Sequence, residues 1–447
     1  MHHRFLDQVN RYLATYRPQT VQQSYLWIWG IQRVSYCMDL LGHPQDQYQV
    51  IHVAGTSGKG STCKYIAHGL QSQWYKVWLT LSPHLIDVTE RFVIDNQQIS
   101  AESLRDLIQS IDPYIQQTNA HFDQNLSYFE ICMMCAYTRF ARSGVDIAVI
   151  ETWLWWLYDA SNIVTHPDKI AVLTDMGLDH TDILGPTLTD IVYQKAMITH
   201  PGQHVFAHHQ SPEIDQMIIQ TVAQQKGILH HLDYETLTQI DTIGHQTTFR
   251  YHDGEWHEVT ICWGSYQVRN AHLALQVIKR FQQQHRRQID YHSLHQTFLQ
   301  THTIARHMSI HIGHHMVLLD GAHNPHKMSA YLEYLASLYP QWCHYIIAFK
   351  QGKDRKQMID SILVQAQSVA FLHIPSVSHD LHAHFVDPIE LMQYTIQQWY
   401  NPDAVRTITT QEIDMYVDNH PGQHVITGSL YMIGYILQMY QKSSLTL

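Results

Sequence analysis

Residues 52–62 read His-Val-Ala-Gly-Thr-Ser-Gly-Lys-Gly-Ser-Thr, directly after the apolar pair Val50-Ile51 and before a helical pattern. That is the make-up of a loop that wraps phosphate. Gly55, Gly58 and Gly60 permit positive φ and let backbone amides approach phosphate oxygens closely. Lys59 adds a mobile positive charge. Ser61 and Thr62 put hydroxyls at a helix start whose free amides also attract anions. Thr56 and Ser57 complete the loop. The spacing departs from the common Walker form, because Gly60 separates Lys59 from Ser61. A glycine-rich turn between core elements is the competing account, and the strand-loop-helix context disfavours it. The expectation is a nucleotide user.

Composition narrows the classes. A chain of 447 residues can bury large cores and suggests two or three domains. The formal charge of -11 excludes a globally basic nucleic-acid surface. No run approaches the ~18 apolar residues of a membrane span, and Met1-His2-His3-Arg4-Phe5 lacks the apolar core of a signal peptide. The expectation is a cytoplasmic monomer with neither nucleic-acid nor membrane partners. Six scattered cysteines fit a reducing compartment. Cys132 and Cys135 form a C-x-x-C inside an apolar helical stretch, where core packing outweighs redox or metal chemistry. The 36 histidines fall in pairs such as 208-209 and 230-231 without a repeated ligand spacing, and read as compositional bias.

The elements that must position the loop alternate in type, which argues an α/β architecture with a parallel sheet. Strands are expected at 49–54, 76–81, 145–151, 169–175 and 203–207, with helices at 61–73, 101–117, 127–142, 187–198 and 213–226. A hairpin turning at Asp253-Gly254 is expected over 247–263, followed by a helix from Asn270 to about Gln284. The polar run 282–288 and the weakly patterned 290–305 read as a boundary. A second series then begins, with strands at 307–320, 344–349, 368–374, 404–409 and 423–427. The expected division is a P-loop parallel-sheet domain over 1–299 and a smaller Rossmann-like domain over 300–447. Ligands in such folds lie beyond the carboxyl ends of strands.

Taken together, the polar segments resemble one family: the folylpolyglutamate synthase/dihydrofolate synthase family, within the Mur-ligase superfamily of ATP-dependent amide-forming ligases. The landmarks are HVAGTSGKGST (52–62), SPHLIDVTERF (82–92), SYFE (127–130), the Glu151-Thr152 and Asp159-Ala160-Ser161-Asn162 pairings, GLDHTDILGPTL (177–188), QKAMI (194–198), Asn270-Ala271, Arg306, LDGAHNP (319–325) and TGSLYMIG (427–434). The resemblance implies ATP and Mg²⁺, with L-glutamate joined to folate or to dihydropteroate. It implies that Ser82, Glu151 and His180 hold a magnesium. Lys195 matches a lysine that is carbamylated to help hold a second. Asn270, Arg306, Asp320 and His323 match nucleotide contacts, and closure of the two domains enters the family's mechanism. Residues Ile28, Trp29, Gly30, Ile31, then Ser127, Tyr128, Phe129, Glu130, then Tyr158, Asp159, Ala160 match segments that touch the pterin-bearing substrate. Lys59, His180, Lys195 and Arg306 are the catalytic candidates. Without the resemblance, His180 reads as a helix-start or core histidine and Lys195 as a surface lysine.

One departure stands out. Where the family writes Gly-Leu-Gly-Gly-Arg-Leu-Asp-Ala-Thr-Asn, residues 153–162 read Trp-Leu-Trp-Trp-Leu-Tyr-Asp-Ala-Ser-Asn. Trp74 and Trp78 replace glycines in the same way. An indole does not fit a glycine loop beside phosphates. The hypothesis is one cause for all: UGA codons that mean glycine in the source, read as tryptophan. Reading every tryptophan as glycine would restore the usual ~7 % glycine. Leu157, where the family has Arg, and Met197, where it has Gly, are outside this account. The leading reading is a folate glutamate ligase. Its rivals are a superfamily ligase acting on a cell-wall precursor and a nucleotide-binding pseudoenzyme.

Overall fold

The computed structural model describes residues 2–16, 30–153, 159–179, 181–233, 237–252, 254–262, 264–352, 354–374, 384–398 and 401–440. The chain forms two compact units, one of Met1–Asp241, Thr248–Cys262 and Gln267–Thr301, the other of Thr242–Thr247, Trp263–Tyr266 and His302–Leu447.

The first unit is built on β1 (Gln49–Ala54), β2 (Val77–Thr80), β3 (Val93–Ile94), β4 (Gln97–Gln98), β5 (Ile147–Glu151), β6 (Ile170–Leu173), β7 (His204–His208) and β8 (Ile228–Leu232). They form one sheet in the order β4-β3-β2-β5-β1-β6-β7-β8. All neighbours from β2 to β8 are parallel, and β3 and β4 add an antiparallel fringe. β1 is central because it is apolar on both faces. Val50 packs with Trp78, Phe140 and Ile150, while Ile51 and Val53 pack with Val77, Leu79 and Val149 on the other side. Successive side chains point to opposite faces, so a strand covered on both sides reads as a continuous apolar run. Register sets Val53 beside Glu151 and Ala54 beside Leu173, which opens the loops after β1, β5 and β6 at one edge.

Helix boundaries follow local chemistry. The helix Tyr128–Ser143 starts in a capping box of Ser127 and Glu130 and stops at Gly144, whose φ is 58°. Cys132 and Cys135 are buried on it and pack in the core. Helices at His2–Ala14 and Tyr291–Gln300 were not expected from the pattern. The second carries only Leu294 and Phe298 as buried residues, too thin an apolar stripe to be read from sequence.

A three-stranded sheet follows, β9 (Leu237–Ile243), β10 (Gln246–His252) and β11 (Trp256–Cys262), in the order β11-β10-β9. The expected hairpin is β10–β11; Gly254 has φ 117°, and its partner Asp253 lies outside the described residues. The second unit carries β12 (Met308–Ile312), β13 (His315–Asp320), β14 (Cys343–Ile347), β15 (Ala366–His373), β16 (Val405–Thr409) and β17 (His424–Thr427) in the order β12-β13-β17-β14-β15-β16. The strand expected at 307–320 is a hairpin: β12 and β13 are antiparallel and reverse at Gly313, with φ 57°. The remaining neighbours are parallel. No helix among the described residues is long and apolar enough to cross a membrane.

Two tryptophans sit where the backbone or the packing asks for something smaller. Trp74 has φ 66° and is 87 % exposed, just past the helix Lys59–Ser72. Its amide donates to the Gln71 carbonyl at 2.9 Å and that of Tyr75 to Leu70 at 3.2 Å, the closing bonds of a helix end that normally carries glycine. Trp78 is fully buried with its ring centroid 3.6 Å from that of Phe140, inside the ~4.5 Å at which aromatic pairs usually begin. Its indole N–H has no partner among the described residues. A left-handed backbone costs a side-chain-bearing residue roughly 1–2 kcal/mol, part of which glycine returns as unfolded-state entropy. Trp74→Gly should therefore raise the free energy of unfolding by about 1 kcal/mol. A higher midpoint in denaturant at unchanged slope is the expected observation, and a lower one refutes it.

Candidate active site

Gly55 and Gly58 of the 55–62 loop are required by contact. A Cβ on Gly55 would lie 1.9 Å from Thr174 Oγ1, and one on Gly58 would lie 2.1 Å from Asn270 Oδ1. Both positions also have positive φ, 148° and 86°. The loop is pinned from behind by the segment after β6. The amides of Thr56 and Ser57 donate to the Asp175 carbonyl at 2.9 and 3.0 Å, and Thr56 Oγ1 donates to Gly177 O at 2.9 Å. Thr174 and Asp175 were not singled out in the sequence, although they directly follow a buried strand. Arg269, next to Asn270, pairs with the Asp175 carboxylate at 2.8 Å and joins the same brace.

Two ammonium groups converge on the loop. Lys59 Nζ and Lys195 Nζ each donate to the Gly55 carbonyl at 3.1 Å. Lys195 is 1 % exposed, so the surface-lysine alternative is wrong; it stands on the helix Leu188–Ala196 and points inward. Lys59 Nζ also lies 3.9 Å from Glu151 Oε1. Glu151 closes β5, and its Oε2 accepts the Ser82 amide at 3.0 Å. A Cβ on Gly60 would come to 3.4 Å from that same oxygen, so the bare backbone leaves the carboxylate facing the loop. Two cations and one carboxylate around a glycine loop make a site that favours an anion with several oxygens.

The donor set also fits a magnesium. Ser82 and Glu151 offer oxygens, which this hard cation prefers, and the bond between them fixes their spacing. His180, the third ligand by resemblance, lies outside the described residues. Among the other loop residues, Ser61 and Thr62 are buried at the helix start. Thr62 Oγ1 donates to Asn270 Oδ1 at 3.3 Å, and Asn270 Nδ2 donates to Gln267 Oε1 at 2.9 Å.

The residues matched to the substrate segments divide into scaffold and surface. Ile28, Trp29 and Tyr158 lie outside the described residues; Gly30 and Ile31 begin the helix Gly30–Leu40. Ser127 and Glu130 cap their own helix, and Glu130 pairs with Arg33 at 2.7 Å with side chains 1 % and 3 % exposed. The amide of Tyr128 donates to Tyr16 O at 3.0 Å. Asp159, just before Ala160, accepts the Ser161 amide at 2.8 Å and the Trp153 amide at 3.2 Å. These carboxylates hold the fold. Phe129 instead stacks on Trp153, ring centroids 4.0 Å apart at 20°, and the Arg91 guanidinium lies 3.4 Å from the centre of that indole. Trp153 fills the space between them.

In the second unit, Arg306, Asp320 and His323 gather at the end of β13. Asp320 accepts the amides of His307 and Ala322 at 2.9 and 2.8 Å. Burial pushes its carboxyl up, and the Arg306 guanidinium is the largest opposing influence. A Cβ on Gly321 would lie 2.9 Å from Arg306 Nη1, so the glycine admits the arginine. His323 Nδ1 donates to Gly321 O at 2.8 Å, which leaves Nε2 to accept from Lys327 Nζ at 3.1 Å.

The chain is similar to several known proteins. The family described as "Dihydrofolate synthetase, C-terminal domain" matches residues 303–439. The folylpolyglutamate synthase of Lacticaseibacillus casei is 29 % identical over 357 residues, covering 78 % of this chain and 82 % of that one. The dihydrofolate synthase/folylpolyglutamate synthase of Bacillus subtilis is 26 % identical over 419 residues, covering 90 % and 93 %. A crystal structure of Mycobacterium tuberculosis folylpolyglutamate synthase complexed with ADP and AMPPCP superposes with a TM-score of 0.86 at 25 % identity, covering 98 % of this chain and 99 % of that one.

Proposed function

Since the chain belongs to the folylpolyglutamate synthase/dihydrofolate synthase family, we propose that it is an ATP-dependent ligase that adds L-glutamate to the γ-carboxylate of folate. Dihydropteroate is the second acceptor the family uses. The observation that carries this reading is the phosphate loop with Lys59 and Lys195 on one carbonyl and Glu151 beside them.

A carboxylate is a poor electrophile at neutral pH, so the reaction has two steps. The folate carboxylate oxygen attacks the γ-phosphorus of ATP, giving an acyl phosphate and ADP. The glutamate amine then attacks the acyl carbon, and a tetrahedral intermediate expels phosphate. Phosphoryl transfer asks the protein for in-line positioning and charge neutralisation. The loop amides and Lys59 serve that need in the first unit, and Arg306, Asp320 and His323 are nucleotide-contact candidates of the second unit, taken by itself. Ser82 and Glu151, with His180, would hold Mg²⁺, which supplies further positive charge to the phosphates. Lys195, buried against the Gly55 carbonyl, is the lysine whose carbamate would help hold a second magnesium, an anion in place of a cation. Phe129 and Arg91 give an aromatic face and a cation to the pteroyl part of the substrate.

The test is coupling. Protein carrying glycine at 153, 155 and 156 should release ADP only when a folate acceptor and glutamate are both present with Mg²⁺. Comparing dihydropteroate with tetrahydrofolate as acceptor assigns the substrate. ADP release independent of either partner, or none under saturating conditions, would remove the proposal.

A further inference from the structure

Apart from the phosphate loop, a second gathering of metal-ligating groups among the described residues lies at the carboxyl ends of the strands, displaced toward the β8 side of the same sheet. His209 directly follows β7, His231 stands on the edge strand β8, and Asp215 lies in the first turn of the helix Pro212–Gln224. One ligand atom from each of the three falls within 4.8 Å of the others. We propose that His209, Asp215 and His231 form a binding site for a borderline divalent cation of the Zn²⁺ type, separate from the nucleotide site.

The distances suit the chemistry. His209 Nδ1 is 2.9 Å from Asp215 Oδ2, and His231 Nε2 is 3.3 Å from Asp215 Oδ1. Tetrahedral ligands at the usual ~2.0 Å from zinc lie about 3.3 Å apart. Imidazole nitrogens with a carboxylate select this class of ion over magnesium, which wants oxygen alone. The surroundings are of the kind that orients ligands. The other nitrogen of His209, Nε2, faces the Asp233 carboxylate at 3.4 Å, the pairing that fixes the tautomer of a metal-bound histidine. The two imidazoles stack with centroids 3.5 Å apart, so each limits the other's rotation.

The backbone is held as well. The His209 amide donates to Leu232 O at 3.2 Å, and its carbonyl accepts Arg269 Nη2 at 3.1 Å. Asp215 Oδ1 accepts the Gln210 amide at 2.9 Å. Hydrogen bonds alone account for the Asp215 contacts. They leave without purpose the stacking of two histidines from different strands against one carboxylate.

This site is not the one at Glu151. Between β5 and β7 lie β1 and β6, which at ~4.8 Å per strand sets the two about 14 Å apart. A bound ion would tie the edge strand β8 to β7 and to the following helix, so its first effect is on stability. Ligands that bind only the folded state raise its melting temperature, and the rise grows with the logarithm of free ligand above its Kd.

The experiment is a Zn²⁺ titration of the full chain against a competing chromophoric chelator, beside melting curves with and without the ion. The chain is rich in histidine, so the reference is the exposed His166→Ala variant. We expect His231→Gln and Asp215→Asn each to lose one tight equivalent and the Zn²⁺-dependent rise in Tm, while His166→Ala keeps both. Circular dichroism checks that each variant is folded. Co²⁺ added to the unmutated chain provides a second reading, a visible absorption band of four-coordinate nitrogen–oxygen type displaced by Zn²⁺. Equal stoichiometry in all four proteins, or no such band, overturns the proposal.

Discussion

Lys59→Ala should lower ATP-dependent turnover by about 10³-fold, the loss typical when a positioned donor to developing charge is removed. The side chain reaches along its own loop to the Gly55 carbonyl at 3.1 Å and stands 3.9 Å from Glu151. It is the first residue of the helix Lys59–Ser72, where alanine is a strong helix former, so the fold should be preserved. The change removes the charge and leaves the glycine cradle. Lys195 remains on Gly55, but from a different helix. The loss should therefore appear in kcat, with a smaller change in the apparent affinity for ATP. Steady-state ADP release measures it directly. Turnover within tenfold of the parent would mean that the loop is misassigned.

The loop was legible because its constraints are local. Gly55 and Gly58 are glycine for reasons of φ and of contact, and both leave a mark in the sequence. What braces the loop was not legible. Asp175 acts through its backbone carbonyl, which any residue possesses, and Arg269 acts on Asp175 across 94 positions. The parallel sheet was readable from apolar runs such as Val50 to Ala54, buried on both faces. The hairpin at 308–320 was not, since a buried β13 and a half-exposed β12 merge into one stretch when the Gly313 turn is discounted. Glu130 illustrates a third case. Its place in a conspicuous SYFE segment suggests recognition, yet its carboxylate is committed to the Ser127 amide and to Arg33. The histidine pairs 208-209 and 230-231 read as bias along the chain. Only the pairing of β7 with β8 reveals that one member of each pair shares a carboxylate.

Restoring glycine at 153, 155 and 156 should raise turnover by about 10²-fold over the chain as written, the scale at which a misplacement of ~1 Å acts on a bound reactant. Trp153 carries this expectation, since residues 154–158 lie outside the described ones. Its indole is stacked on Phe129 and covered by Arg91, so it occupies the aromatic and cationic surfaces proposed for the pteroyl group. The peptide there needs no side chain: the Trp153 amide donates to Asp159 through the backbone alone. Trp74 and Trp78 report the same misfit far from any ligand, one by a left-handed backbone and the other by a crowded ring. A drifting active site would not place surplus indoles at a remote helix end, whereas a codon read with the wrong meaning would. The hypothesis of UGA as glycine is therefore open to a direct check in the coding DNA, and the blocking role of Trp153 to a separate one. UGG codons at 74, 78 and 153 would end it outright. If the codons are UGA and the triple-glycine protein is still no faster than the parent, Trp153 does not block the substrate and the misreading is functionally silent there.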